Sequence, residues 1–413
     1  MRKMNRWMLM LIGIVSLVLI FDAQSAEQFP DLTSFIVTPP AGAAPRFNGA
    51  KVFGVRPGSP ILYTLAVAGE RPMKFSAKGL PAGVNFDKKR GLITGRLTIP
   101  GTHIIKLHAE NKAGSAERDL KLIVGNDFAL TPPMGCNTWG GLGPNVSEKG
   151  VRASAQAMAN KLRDHGYSYV NIDDGWQGIR GGIYNAIQPN EKFGDMKKLC
   201  DDLHKMGLKL GLYSTPWRTS YAGFCGGSSD DPDGTWAKLP PGPKKGWTHA
   251  PYRFEINDAL QCGAWGIDYF KYDWSIRDYV DLAMKIKLAL LATDRDIVLE
   301  LSNTAPLAKG DIYTQIGNMT RTDGDLVDVW SKTQLEKAKQ RWALGVRDLW
   351  IAHKKWQKFN VPGHWNMPCP LRVGMLGGWD KKPLRPTRLT PDEQYSHMSL
   401  WCLWASPIII GAP

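Results

Sequence analysis

The chain has 413 residues, 43% of them hydrophobic and 22% charged, which excludes bulk disorder and a fibrous or collagen-like chain. Lys and Arg number 52 against 38 Asp and Glu, a formal charge of +14, and there are 16 tryptophans. A basic, Trp-rich chain suits nucleic acid, a membrane surface or sugars, and the pattern along the chain has to decide among them.

Residues 1–26 read as a secretory signal peptide. Arg2, Lys3 and Arg6 form a basic start, residues 7–21 are apolar, and the segment ends in the small residues Ser25 and Ala26. The apolar run is short of the ~20 residues that span a bilayer, so no stable membrane insertion is expected after cleavage. Loss of Arg2, Lys3, Arg6 and Asp22 leaves 49 basic and 37 acidic residues, or +12. An exported chain is expected to be secreted or periplasmic. Its six cysteines then enter an oxidising compartment; mostly buried thiols are expected, with room for one bridge. No Cys/His spacing suggests a metal site, so neither a metal nor a cofactor is expected.

A Pro/Gly/Ala-rich linker over 27–46 leads into a block at 47–126 with short alternating runs, ILYTL at 61–65, HIIKL at 103–107 and LKLIV at 120–124, separated by turn residues. Strands so spaced predict a small all-β sandwich. GLPAGVNF at 79–86, GLITG at 91–95, Gly101 and AENKAG at 109–114 resemble the immunoglobulin-like modules attached to bacterial carbohydrate enzymes. No ionisable cluster there looks catalytic, so the block reads as a spacer or a sugar-binding module, the spacer fitting better.

From residue 130 the rhythm changes. Eight short runs alternate with longer amphipathic segments: 132–135, 168–172, 208–213, 267–272, 297–301, 318–321, 361–365 and 406–410. Ser147 caps a helix carrying Val151, Met158 and Leu162, and TPDE at 390–393 is a capping box with Pro at the first helical position. Further helices are expected over 201–206 and 279–291. Eight β/α units over 130–413 predict a (β/α)8 TIM barrel, so the fold class is α/β with the all-β sandwich in front. A doubly wound sheet fits less well, because no run is followed by a GxGxxG or P-loop sequence. The chain stops at Pro413, directly after the eighth run. A final outer helix is therefore not expected within it, and apolar surface near Ile408 and Ile410 is expected to be uncovered.

In such a barrel the site forms at the carboxyl ends of the strands. Those ends carry Asp173 and Asp174, Asp273, and Arg321, Asp323 and Asp325, with Trp139, Trp176, Trp217 and Trp274 along the same rim. An Asp after a strand often only caps the next helix, but acids on three even-numbered strands converge. Lys271, two residues before Asp273 in an apolar strand, is costly without a partner. Paired carboxylates among aromatics suit glycoside hydrolysis, one attacking or stabilising the anomeric centre and the other donating a proton.

The motifs LTPPMG (130–135), NTW (137–139), YVNIDDGW (169–176), LKLGLY (208–213), WGIDYFKYD (265–273) and GHWN (363–366) resemble glycoside hydrolase family 27, which contains α-galactosidases and α-N-acetylgalactosaminidases. The resemblance covers about 130–413. It implies a secreted, retaining, exo-acting hydrolase that releases terminal α-linked galactose from oligo- or polysaccharides. It also implies Asp273 as nucleophile and Asp325 as acid/base. Sugar contacts are implied for Trp139, Asp173, Asp174, Tyr213, Lys271 and Arg321. A raised Asp325 pKa and a low Asp273 pKa go with those roles.

The sequence departs from the family after strand seven. WNMPCPLRVG at 365–374 has Met367 and Cys369 where acids are usual and Pro370 where a Met is usual. Cys369 and Pro370 are expected beside the sugar. Tyr221 and Ser275 stand where eukaryotic members carry a disulfide. In LSNTA at 301–305, Ser302 and Ala305 have the small-residue spacing of N-acetylgalactosaminidases. α-N-Acetylgalactosaminidase and β-L-arabinopyranosidase activities are therefore alternatives, as is a barrel that binds carbohydrate without cleaving it. A carbohydrate partner is expected and nucleic acid is not, because the basic residues are scattered and their densest cluster, 381–388, lacks a recognition motif. Nothing in the pattern speaks to oligomeric state.

Overall fold

Alternation of apolar and polar residues builds the N-terminal β-block. In Gly101–Asn111 and Gly114–Val124, Ile105, Leu107, Ala109, Leu120, Leu122 and Val124 are buried while their neighbours face out. The two strands pair antiparallel along their whole length, from Gly101 opposite Val124 to Asn111 opposite Gly114. Lys74–Lys78 adds antiparallel to the first, and Val52–Val55 adds parallel to the second. Opposite lies a three-stranded sheet of Pro60–Thr64, Leu92–Arg96 and Val84–Asp87. The two sheets enclose a core that includes Val55, Ile61, Tyr63, Ile93, Ile105 and Leu122, so the block is an all-β sandwich.

The computed structural model describes residues 33–236, 238–242, 244–273, 280–303, 305–336, 343–377 and 383–411. The expectations for the signal segment, Trp274 and Ser275 lie outside them. Two compact units are present, Met1–Ala41 and Gly42–Pro413. The described part of the first holds a 3-10 turn, Thr33–Phe35. Sandwich and barrel both belong to the second.

The barrel consists of eight parallel strands: Met134–Asn137, Tyr169–Asn171, Lys209–Ser214, Tyr269–Asp273, Val298–Ser302, Met319–Arg321, Trp365–Met367 and Ile408–Ile410. Between the seventh and eighth strands, Leu371 bridges in parallel to Ile410, with Leu371 N donating to the Ile409 carbonyl at 2.7 Å. Ser147 and Thr390 cap the helices Glu148–Lys161 and Pro391–Leu403, the latter through the capping box. Two details differ from expectation. The seventh strand starts at Trp365, because Val361 and His364 close a tight turn before it. Ile408 and Ile409 are buried rather than uncovered.

Period-two alternation inside the barrel prepares the site. Tyr169, Tyr269, Val298, Met319, Met367 and Ile409 share an apolar floor with Phe128. Two residues up on the fourth, fifth and sixth strands stand Lys271, Glu300 and Arg321, and above them come Asp273 and Ser302. Glycines on the odd strands make room for the tyrosines. A Cβ at Gly135 would lie 2.1 Å from the Tyr169 carbonyl oxygen, and one at Gly211 would lie 3.0 Å from the Tyr269 Cβ.

The sandwich seats on the opposite, amino-terminal face. Arg56 N and Nε donate to Asp296 at 2.9 and 2.6 Å, Nη1 donates to the Leu291 carbonyl at 2.9 Å, and Nη2 donates to the Arg295 carbonyl. Arg56 thereby caps the end of the helix Val280–Leu291 with a cation, the charge its exposed carbonyls favour. Thr64 Oγ1 donates to the Gly207 carbonyl at 2.6 Å, just before the third strand. A cavity of about 460 Å³ lies along this seam, lined by Phe53, Leu130, Pro132, Met134 and Ile408 among others.

Candidate active site

At the carboxyl ends of the strands lies a smaller cavity of about 240 Å³. Its size suits a single small ring. Trp139, Asp173, Asp174, Tyr213, Lys271, Asp273, Ser302, Arg321, Asp325 and Cys369 all line it. The structure thus brings together every residue singled out from the sequence as catalytic or sugar-contacting. Asn137, Tyr221, Asn303, Leu326, Asp328, Pro370 and Arg372 also contribute.

Lys271 is largely enclosed, its side chain 12% exposed, and lies among carboxylates. Its Nζ donates to Asp173 Oδ2 at 2.8 Å, and the same oxygen accepts from Asn137 Nδ2 at 2.6 Å. Burial alone would lower the Lys271 pKa, but Asp173, Asp273 and Glu300 raise it well above the usual lysine value. Asp174 is fully buried and takes the Ala222 amide on Oδ2 at 2.7 Å, while its Oδ1 has no protein partner. Burial is the main reason that its pKa rises to about 7, against the hydrogen bonds from Ser220 and Ala222. The buried Tyr213 hydroxyl also lacks a protein partner. Both residues line the cavity, and buried polar atoms without a partner are uncommon in folded proteins.

The two candidate catalytic carboxylates reverse the expected pKa order. Burial raises Asp273, with Lys271 opposing and Asp173 and Asp325 adding to the rise. For Asp325, burial would also raise the pKa, but Arg321 outweighs it, helped by Arg372 and Lys271, and the net shift is downward. Arg321 Nη2 reaches Asp325 Oδ1 at 3.1 Å, and half of the Asp325 side chain is exposed at the cavity mouth. Asp325 is therefore the stronger acid of the two.

Other expectations were placed differently. Trp176 turns into the core, where Nε1 donates to the Tyr213 carbonyl at 2.9 Å and the ring meets Trp265 edge-on. Trp217 packs on Tyr221 and Trp247 behind the cavity. Of the four rim tryptophans, Trp139 alone among the described residues lines it. Ala305 is buried in the core and adds no room to the cavity. Met367 belongs to the barrel floor, whereas Cys369 and Pro370 do border the cavity. All six cysteines are free, so no bridge forms, and Cys402 is the exposed one.

One cluster escaped the sequence reading. Cys200 and His204, four apart on the helix Met196–Lys205, meet Asp268 on the barrel's other face. Cys200 Sγ donates to the Gly266 carbonyl at 3.0 Å, His204 Nε2 lies 2.8 Å from Asp268 Oδ2, and Arg295 pairs with Asp268 Oδ1 at 2.7 Å. Burial pushes the thiol pKa up. Although burial would raise Asp268 as well, His204, Arg295 and Lys209 hold it at about 2. With a protonated thiol and an arginine already on the carboxylate, the cluster works as a hydrogen-bonded pin between the helix after the second strand and the start of the fourth strand.

A family model described as alpha galactosidase A matches residues 135–238. α-Galactosidase A of Cellvibrio japonicus is 32% identical over 293 residues, which are 69% of this chain and 62% of that one. A crystal structure from Bacteroides fragilis, provisionally assigned as an α-galactosidase, is 31% identical with a TM-score of 0.77, covering 91% of this chain and 75% of the other. The chain belongs to glycoside hydrolase family 27. A family 27 β-L-arabinopyranosidase of Geobacillus stearothermophilus, solved with arabinose, is 25% identical with a TM-score of 0.53 over 69% of this chain and 72% of its own. The 91% coverage exceeds the barrel at 130–413, so the likeness to the Bacteroides protein extends into the sandwich. The chain spans 62% of the length of the Cellvibrio relative.

Proposed function

We propose that this family 27 protein is a retaining, exo-acting glycosidase that releases terminal α-linked galactose from oligo- or polysaccharides. The observation that carries the reading is the pair Asp273 and Asp325 on one small cavity. Asp273 is buried deep beside Lys271, and Asp325 stands at the mouth where an aglycone leaves. Asp173, Asp174, Asp273 and Asp325 outnumber Lys271, Arg321 and Arg372 on its wall, which favours a neutral polyhydroxylated ligand over an anion.

Asp273 attacks the anomeric carbon while Asp325 protonates the departing glycosidic oxygen, leaving a glycosyl ester on Asp273. Asp325 then takes a proton from water, the water oxygen bonds to the anomeric carbon, and the ester breaks to return the Asp273 carboxylate. Two inversions give net retention. Asp325 must be protonated for the first step although Arg321 favours its ionised form. A bound sugar strips water from the mouth and leaves Asp325 facing the Asp273 carboxylate, and both effects raise its proton affinity.

The loop after strand five carries Asn303 towards the cavity, and Ala305 lies in the core. The N-acetylgalactosaminidase alternative therefore loses one of its two small residues. The β-L-arabinopyranosidase alternative has a specific support in the Geobacillus neighbour. We further read residues 1–26 as an export signal and the sandwich as an immunoglobulin-like spacer, in line with its seat on the face away from the cavity.

Nitrophenyl α-galactoside, α-N-acetylgalactosaminide and β-L-arabinopyranoside, assayed with wild type and Asp273→Asn, test the reading. The α-galactoside should turn over fastest, and Asp273→Asn should lose at least about a thousand-fold in kcat. Full activity in Asp273→Asn would sink the nucleophile assignment.

A further inference from the structure

Asn303, in the loop after the fifth strand, contacts Asp273 directly, beside the hydrogen bond that Ser302 also gives it. Asn303 Nδ2 donates to Asp273 Oδ1 at 2.8 Å and to the Tyr221 hydroxyl at 3.0 Å. An amide nitrogen has two hydrogens, so both are spent. A carboxylate only accepts, which fixes the amide's orientation with nitrogen towards Asp273. The backbone at Asn303 has φ +66°, in the left-handed region that Asn and Asp tolerate and most residues avoid. The anchor is itself clamped. The Tyr221 ring lies 4.9 Å from Trp217 and 4.8 Å from Trp247, and the neighbouring Ala222 amide is tied to Asp174.

We propose that Asn303, anchored on Tyr221, is a positioning residue for the Asp273 nucleophile: its amide fixes the rotation of the carboxylate and stabilises the ionised form that attacks. This rests on the glycosidase reading above. Among the described residues, the charged and titratable groups around Asp273 are Lys271 on its own strand, Asp173 and Asp174 after the second strand, Tyr213 on the third, Tyr221 in the loop behind, and Arg321 and Asp325 from the sixth. Removing an amide donor bonded to the ionised carboxylate takes away stabilisation of that form, so protonation of Asp273 becomes easier.

The test uses Asn303→Asp, which keeps the shape and the left-handed backbone but replaces the donor with an acceptor, and Tyr221→Phe, which frees the amide to turn. Steady-state kinetics are measured across pH on whichever nitrophenyl glycoside the wild type prefers. Asn303→Asp should lower kcat on the order of 10- to 100-fold with KM within about threefold. It should also move the acidic limb of kcat/KM to higher pH by about one unit or more, since protonated Asp273 cannot attack. Tyr221→Phe should shift the same limb in the same direction by less. A merely structural role would reduce the amount of active protein without moving the limb. An unmoved limb and kcat within twofold of wild type in both variants would overturn the proposal. A limb that moves in Asn303→Asp alone would remove Tyr221 from it. Wild type inactive on all three glycosides would instead sink the glycosidase reading, and with it the nucleophile to be positioned.

Discussion

Asp174 shows at the scale of one residue how stability is given up for a site. In an unfolded chain its pKa is near 3.8, whereas in the folded protein burial lifts it to about 7. Between those values the folded state holds one more proton than the unfolded state. Stability therefore falls as pH rises from about 4 to about 7, by up to about 4 kcal/mol. Asn at this position removes that loss. The Asp174→Asn variant should gain stability relative to wild type progressively over that window and keep the gain above it, while binding sugar more weakly. Denaturant unfolding at a series of pH values checks this, and a stability difference independent of pH would contradict it. The residues that ligands would touch were legible because they close short apolar runs: Asp273 ends its strand, and Asp173, Asp174 and Asp325 follow theirs. Asn303, Tyr221 and Arg372 were not, because they come from loops whose path no periodicity encodes. The pKa order of Asp273 and Asp325 was misjudged for a related reason. It depends on the depth of each carboxylate and on Arg321 and Arg372 reaching one of them, which only the folded geometry sets.

At the scale of elements, alternation and capping announced most of the barrel. All eight strands lie at or beside their expected runs, even where they are three residues long, because apolar side chains bounded by turn chemistry leave little choice. The misplaced start of strand seven came from reading a tight turn at Val361 and His364 as extended chain. Trp176 was placed on the rim because it follows two acids, yet its indole finds a buried acceptor, the Tyr213 carbonyl, and a Trp265 face to pack on. No pattern within the sandwich or the barrel shows how they dock, since that rests on single long-range contacts. Arg56 is the clearest of these. It binds Asp296 and caps the end of Val280–Leu291 at once. Arg56→Ala leaves Asp296 with one fewer partner and uncaps the helix, a cost of about 2–3 kcal/mol. The melting temperature should drop by roughly 4–8 °C with kcat unchanged, because the cavity is on the other face. A melting curve superimposable on wild type would contradict the clamp.

At the scale of the whole molecule, part of the basic cluster at 381–388 is tied into the fold. Arg385 and Arg388, from the densest basic cluster, both hold the buried Asp328, and Arg321 and Lys271 are enclosed by the cavity's acids. Several tryptophans serve packing: Trp139 lines the cavity wall, whereas Trp176, Trp265, Trp356, Trp401 and Trp404 are buried in the core. What distinguishes the molecule is the graded interior of one barrel, an apolar tyrosine and methionine floor, then Lys271, Glu300 and Arg321, then the carboxylates. Among the described residues no helix is long and apolar enough to cross a membrane. We propose that Asp273 and Asp325 carry out double displacement in this cavity. Proton NMR of the first-formed sugar during hydrolysis of an α-galactoside, before mutarotation mixes the anomers, tests it most directly. Retention, with the α-anomer appearing first, is the expected result, and a first-formed β-anomer would contradict it.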